Sequence, residues 1–352
     1  MDIRRAGNRQ RLRDAYRLHF TGEVPFFECY VAEEIVDQVM GRPMGKHMLK
    51  LEAADYVQFL QRTGMDAAYL YEGWFLGRKN FVDERGRVHY VDGTIKSRVD
   101  FDKISIPSLD PVKARIETYL EAAQGTELGA IYSIDQPVGL AMTAIGMQDF
   151  LFALYEDPGF VNEFLDRTEE YTLALTECVV RYPLDAIWAG APICAKAGPL
   201  LSPEMHAEFI FPRVEKVMSI IRPSGIPVVC HVDGDASQFM DWIVKTGYAA
   251  VHPFEPGIGN YDIYRMKQRY GNSLCVHGNI DVGSVLAHGT PETVRDDVIR
   301  HITRLAPGGG YICGSSHDIS ENVPFENFRA LAETICGAQA AKDGSVTTVG
   351  SV

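Results

Sequence analysis

A chain of 352 residues with 46% hydrophobic and 23% charged residues can bury a large core, as one big domain or two small ones. Its formal net charge of −13 argues against nucleic acid or an anionic membrane as partner, since either demands clustered Lys and Arg. The seven cysteines form no framework, the Met-Asp-Ile-Arg-Arg start lacks the apolar stretch of a signal peptide, and no segment approaches membrane-spanning length. A reducing cytoplasm with free thiols is the expectation.

Arg4, Arg5, Arg9, Arg11 and Arg13 crowd the N-terminus and read as a solvated helix face capping the body of the protein. From there, short β-branched or aromatic runs alternate with longer amphipathic stretches. Val24 to Glu28 precedes a helical pattern from Ala32 to Met40, and Asp66 to Glu72 is the next strand-like run. Phe81 to Lys96 reads as a β-hairpin turning at Glu84-Arg-Gly86, a rim or lid element. Strands follow at Ala130–Asp135, Asp185–Gly190, Pro227–Asp233, Ala249–Glu255, Leu274–Asn279 and Gly310–Ser315.

Helices are expected between them, over Phe160–Val180, Ser202–Arg222, Asp235–Lys245, Asp262–Tyr270, Pro291–Leu305 and Pro324–Ile335. The second opens with Ser202 as N-cap, Pro203 at the first helical position and Glu204 in the first turn. About eight strands in strict alternation favour a (β/α)8 barrel over an open sheet. Residues 1–339 form one domain in this reading, and 340–352, rich in Gly, Ser, Thr and Val, a flexible tail. No Gly-x-Gly-x-x-Gly follows the first strand and no phosphate-binding Gly-Lys-Ser/Thr loop is present.

In a barrel the C-terminal strand ends share one open face, where catalytic groups gather. Here those ends supply Glu28, Glu72, Asp135, His231, Asp233, Glu255, Asn279, Asp281, Cys313 and His317. His231 and Asp233 are two apart on one strand, so they project to the same side. With Glu255 and Cys313 they offer up to four mixed N/O/S ligands, a set suited to Zn²⁺, with either Asp233 or Glu255 completing it.

His317 or Glu72 would handle a proton, and Asp233 is the alternative acid/base partner of His231. Glu28, Trp74, Asp135, Asn279 and Asp281 are the candidates for holding substrate. Each residue also has an ordinary role open to it. A histidine can bond a backbone carbonyl in the core, Asp-Gly can close a turn, and Asn279 and Asp281 can make a turn followed by a helix cap.

The segments Pro-Val-Val-Cys-His231-Val-Asp-Gly, Val-His-Pro-Phe-Glu255, Val-His-Gly-Asn279-Ile-Asp, Gly-Gly-Gly-Tyr-Ile-Cys313-Gly-Ser-Ser-His317 and Val-Pro324-Phe-Glu-Asn327 resemble the uroporphyrinogen decarboxylase superfamily, as does Ala197 to Met205 upstream. The resemblance implies a distorted TIM barrel. Decarboxylases carry an N-terminal Arg-Gln-Ala-Gly-Arg signature for the carboxylates of a porphyrinogen, whereas Val24 to Glu34 here holds no arginine. The chain is therefore more similar to the methyltransferase branch, which includes methylcobamide:coenzyme M methyltransferases and O-demethylase components.

That branch implies zinc at His231, Asp233, Glu255 and Cys313, with Asp233 standing where relatives have Cys. An Asp-Asp pair found near Gly190 in many relatives is replaced by Gly-Ala-Pro-Ile-Cys194. No Asp-x-His-x-x-Gly cobalamin motif is present, so a corrinoid would ride on a separate partner protein. The expected reaction moves a methyl group between that corrinoid and a small-molecule donor or acceptor, with a homodimer left open. The alternatives are a metal-independent decarboxylase of a smaller substrate and a non-catalytic partner of a corrinoid protein.

Overall fold

Seven parallel strands form one curled sheet in the computed structural model, which describes residues 1, 3–84, 87–190 and 193–348. They are β1 (Ala67–Leu70), β2 (Gly129–Ile134), β3 (Ala186–Gly190), β4 (Val228–His231), β5 (Ala250–His252), β6 (Cys275–His277) and β7 (Tyr311–Ile312). They lie side by side in chain order. The expected first strand is reduced to a bridge. Phe26 pairs in parallel with Cys313, and Asp66 N–H donates to the Phe26 carbonyl at 3.0 Å, so residues 25–27 span the gap between β7 and β1. The result is a TIM-barrel-like α/β fold.

Side chains alternate along each strand and divide the core into two layers. Phe27, Ala67, Ile131, Ala186, Trp188, Val229, Ala250, Cys275 and Ile312 form the cluster inside the barrel. The intervening residues, such as Ile187, Cys230, Val251, Val276 and Cys313, pack outward against the helices. The N-terminal arginines belong to this architecture. Helix Arg9–Tyr16, capped by Asn8, sends Leu12, Ala15 and Tyr16 into the inner cluster and so closes the N-terminal end of the barrel. Arg11 and Arg13 tie it to the buried carboxylates of Asp66 and Asp185, at 2.8 and 2.6 Å.

Two expected elements differ. The helix from Ser202 is interrupted by a π-turn over His206–Ile210 and resumes at Phe211–Ile221. Pro212 has no N–H to give to the preceding turn and its ring crowds the carbonyl four residues back, which widens the turn there. The chain from Ala340 is not a loose tail as far as Thr348. Ala338–Ala340 pairs antiparallel with Val346–Thr348 around Gly344, where φ is +86°, and Ala340 N–H donates to the Gly22 carbonyl. Residues 349–352 fall outside the described part.

The expected hairpin is present as Arg78–Val82 against Val88–Gly93, with Arg85 and Gly86 of its turn outside the described residues. Its base is fixed by the Tyr90 hydroxyl donating to the Thr143 carbonyl at 2.9 Å, and Arg87 pairs with Glu321 in the loop after β7. The hairpin therefore lies at the open face. No single helix among the described residues is long and apolar enough to cross a membrane.

Candidate active site

Three adjacent strands end in the same residue. His231 closes β4, His252 closes β5 and His277 closes β6, and the register places His231 beside His252. All three share the inward parity of Val229, Ala250 and Cys275, so their imidazoles form a row across the barrel interior, His231 stacked on His252 and His277 tilted against it. Ring centroids are 5.2 Å apart for His231 and His252, and 4.6 Å for His252 and His277. Trp188 lies beneath them, 4.5 Å from the His252 ring and stacked with His231 at 5.5 Å.

Burial lowers the proton affinity of all three histidines. For His277 the fall reaches about 3. Neutral imidazoles retain a lone pair, the condition for binding a metal. The Nδ1 atoms of His231 and His252 approach to 3.0 Å.

Above this row sits the polar part of the site. Asp233 Oδ1 is 3.7 Å from His231 Nε2 and 3.3 Å from His317 Nε2. One ligand atom from each of His231, Asp233 and His317 lies within 4.8 Å of the others, the one such group of three or more among the described residues. The hydrogen bond to Asp233 raises the His317 imidazole to about 9 against the cost of burial. On Asp233 burial acts to raise the carboxyl, but the His317 hydrogen bond and the two nearby imidazoles bring it below its usual value. Without a metal the pair is an imidazolium–carboxylate ion pair, half exposed at the mouth.

His317 is placed from below by Glu28. This carboxyl is almost fully buried, accepts the Ser315 N–H at 2.9 Å and lies 2.5 Å from the Ser315 hydroxyl, which in turn bonds the His317 carbonyl. Burial pushes Glu28 up to about 8, so near neutrality it is largely a carboxylic acid. One proton order satisfies the chain. Glu28 donates to the Ser315 oxygen and the Ser315 hydroxyl donates to the His317 carbonyl.

The other candidates take different positions. Cys313 is fully buried, in the layer between sheet and helices, and burial pushes its thiol up to about 12. Because Ile312 faces the interior, its neighbour must face out, and Cys313 is not brought to the His231 group. Glu255 is half-buried and its carboxylate reaches Lys196 at 3.3 Å, also outside that group.

Asn279 is a brace, with its amide donating to the Phe254 carbonyl at 2.5 Å and its oxygen 3.1 Å from His301 Nε2. Asp281 caps the turn Val282–Ala287, accepting from Gly283 N–H and the Ser284 hydroxyl. Asp135 is half-buried and accepts from the Tyr71 hydroxyl at 2.9 Å and the Trp74 N–H at 3.2 Å. Trp74 itself packs on Tyr171, and Glu72 meets Tyr132 through its backbone. These residues shape the wall near β1 and β2 and lie outside the group of His231, Asp233 and His317. His252 and His277 carried a signal that their neighbours obscured: each is a histidine at the same strand-end offset as His231, in Ala-Val-His and Cys-Val-His.

Two nitrogens and one oxygen converging on a point, with the mouth side open, match the three-ligand pattern of a catalytic zinc that keeps one exchangeable position. Comparison with known proteins agrees with the architecture. Residues 52–337 match the family described as "Uroporphyrinogen decarboxylase (URO-D)".

Among curated proteins, the chain is similar to a methylated-thiol–coenzyme M methyltransferase of Methanosarcina mazei, 23% identical over 55% of this chain and 49% of the relative. A methylcobamide:CoM methyltransferase of the same organism is 27% identical over 57% of this chain and 58% of the relative. A uroporphyrinogen decarboxylase of Microcystis aeruginosa is 22% identical over 72% of each. The chain thus matches about half the length of the first of these. A solved methyltransferase from Methanosarcina mazei superposes with a TM-score of 0.71 over 94% of this chain and 98% of that chain, at 18% identity, which establishes the shared fold.

Proposed function

Because the chain belongs to the uroporphyrinogen decarboxylase family, we propose that it is a methyltransferase of that family, one that moves a methyl group between a small molecule and a corrinoid carried on a separate protein. The observation that carries this reading is the convergence of His231, Asp233 and His317 at the barrel mouth. Two of the similar curated proteins are methyltransferases whose names specify a methylated thiol or a methylcobamide with coenzyme M.

Zn²⁺ held by these three residues would polarise the heteroatom of the methyl donor or acceptor and favour its thiolate form. The chain's own groups prepare that chemistry. Burial keeps His231 neutral, so that Nε2, on the side of Asp233, could give its lone pair to a metal. His317, protonated in the metal-free site, would have to release that proton to serve as a ligand, and Asp233 sits between the two imidazoles that it would join. Trp188 and His252 close the floor against water. The absence of arginine from Val24 to Glu34 and the carboxylates of Asp233, Glu255 and Asp318 around the mouth disfavour a polycarboxylate substrate.

Decarboxylation of a smaller acid is the second reading, favoured by the uroporphyrinogen decarboxylase that covers 72% of this chain and by the imidazolium of His317 as proton donor. A methylated corrinoid mixed with a panel of thiols separates the two. Loss of the methyl–cobalt absorption that requires both the protein and zinc supports methyl transfer. Metal-independent release of carbon dioxide from a carboxylic acid, with no loss of the methyl–cobalt band, rejects it.

A further inference from the structure

Arg9, Arg13 and Arg17 stand four residues apart along helix Arg9–Tyr16 and its C-cap, so they line one face of it. That face borders the N-terminal rim of the barrel, on the side away from the histidine row. Arg9 donates to the Leu128 carbonyl, and Arg13 Nε donates to Asp185 at 2.6 Å. The Arg17 side chain makes no hydrogen bond or ion pair among the described residues. Closing the barrel therefore explains two of these arginines and leaves the third without a role.

Arg13 and Arg17 border a cleft of about 240 Å³ whose other walls include Asp185, Ser224 and Gly225. The polar groups of those walls are already spent. Asp185 is buried, with one oxygen on Arg13 and the other on the Ala130 N–H at 2.9 Å. Ser224 Oγ serves its own turn, donating to the Ile221 carbonyl and accepting from the Ile226 N–H. Gly225, at φ +70°, has no atom within 4 Å of the place a Cβ would take, so the cleft is open there. What is left to meet a ligand is guanidinium, the two Nη groups of Arg13 and the whole of Arg17. Along this face three guanidinium groups meet one carboxylate, and no other ion pair among the described residues balances them.

We infer that this cleft binds a small, doubly charged oxyanion, a phosphate or a phosphate monoester. The charge calls for it, since a dianion neutralises the two cations that Asp185 does not. The donors suit it, because the planar fork of a guanidinium pairs with two oxygens of one phosphate. The walls leave room beyond the anion for a short organic part, which would meet Leu184 and Pro227. A helix dipole alone favours a basic residue at a C-terminus, but a solvated side chain would satisfy it, whereas here two guanidinium groups border one cleft. This end of a barrel ordinarily carries stability rather than chemistry. An anion held there would tie helix Arg9–Tyr16 to the turn before β4. The inference is independent of the reaction proposed above.

Isothermal titration of the full chain with inorganic phosphate at constant ionic strength tests it. One saturable site with a dissociation constant below about 1 mM is expected, and binding about 10-fold weaker or worse in Arg17→Gln. Arg17 has no side-chain partner to lose, so that variant should melt with the wild type in chloride, while only the wild type gains in phosphate. Arg42→Gln, which removes an exposed pair with Asp55, should bind phosphate as the wild type does. Glycerol 3-phosphate separates the two sources of the anion. Tighter binding than phosphate assigns the cleft to a monoester, and equal or weaker binding assigns it to the free ion. Absence of saturable phosphate binding at millimolar concentrations, binding undiminished in Arg17→Gln, or acetate held as tightly as phosphate would each overturn the inference.

Discussion

The Nδ1 atoms of His231 and His252 lie 3.0 Å apart, a separation that holds one proton between two imidazoles. If His231 offers its Nε2 lone pair to a metal on the side of Asp233, its Nδ1 must carry the proton and His252 must accept it through its own Nδ1. The acceptor that fixes the orientation of His231 is thus another buried histidine rather than a carboxylate or a carbonyl.

Removing that acceptor should weaken metal binding without emptying the site. His252→Phe is expected to lower zinc affinity by about 10- to 100-fold, the usual effect of losing a group that orients a ligand histidine. Competition with a chromophoric chelator measures it. His252→Gln, which can accept through its side-chain oxygen, should recover part of the loss. Equal losses in the two variants would show that packing, not the hydrogen bond, is responsible.

Glu28 gives the stability a definite pH signature. Its folded-state value of about 8 lies above that of an unfolded glutamate, near ~4.3. Between those values the folded chain holds a proton that the unfolded chain has lost, so the contribution is full in acid and falls as pH rises toward about 8. Denaturation midpoints taken across this window should fall less steeply in Glu28→Gln than in the wild type. Parallel pH profiles would mean that Glu28 is ionised throughout.

Closure of the barrel near β1 should depend on Asp66. Its carboxylate is fully buried and accepts from Phe26 N–H at 2.9 Å, Asn8 N–H at 2.8 Å and Arg11 at 2.8 Å. Asp66→Ala leaves two buried backbone donors unpaired and takes one carboxylate from Arg11, which keeps Glu23 and the Ala6 carbonyl, a loss of about 3–5 kcal/mol. Asp55→Ala, which removes an exposed pair with Arg42, should cost about 1 kcal/mol or less. Urea denaturation of the two variants gives the comparison, and similar losses would contradict the role given to Asp66.

The barrel is legible because its strands are β-branched runs bounded by polar residues: six of the later seven lie inside an expected run, and Gly129–Ile134 starts one residue ahead of its own. The site was legible only in part. His231 and Asp233 share a face by spacing alone, and the structure keeps them together. Cys313 stands at a strand end but its parity turns it outward, which a two-residue strand such as Tyr311–Ile312 does not display in its pattern. His252 and His277 are masked in the sequence by Glu255 and Asn279, polar residues that follow them by two or three positions. The approach of His317 to Asp233 depends on the Glu28–Ser315 contact, which joins positions 287 residues apart and leaves no local trace.

Zinc content decides the central claim most directly. Purified full-length protein, loaded with zinc and desalted, should retain close to one equivalent by atomic emission. His231→Ala should retain almost none, and Cys313→Ser should match the wild type. Undiminished zinc in His231→Ala, or loss of zinc in a folded Cys313→Ser, would contradict the site built from His231, Asp233 and His317.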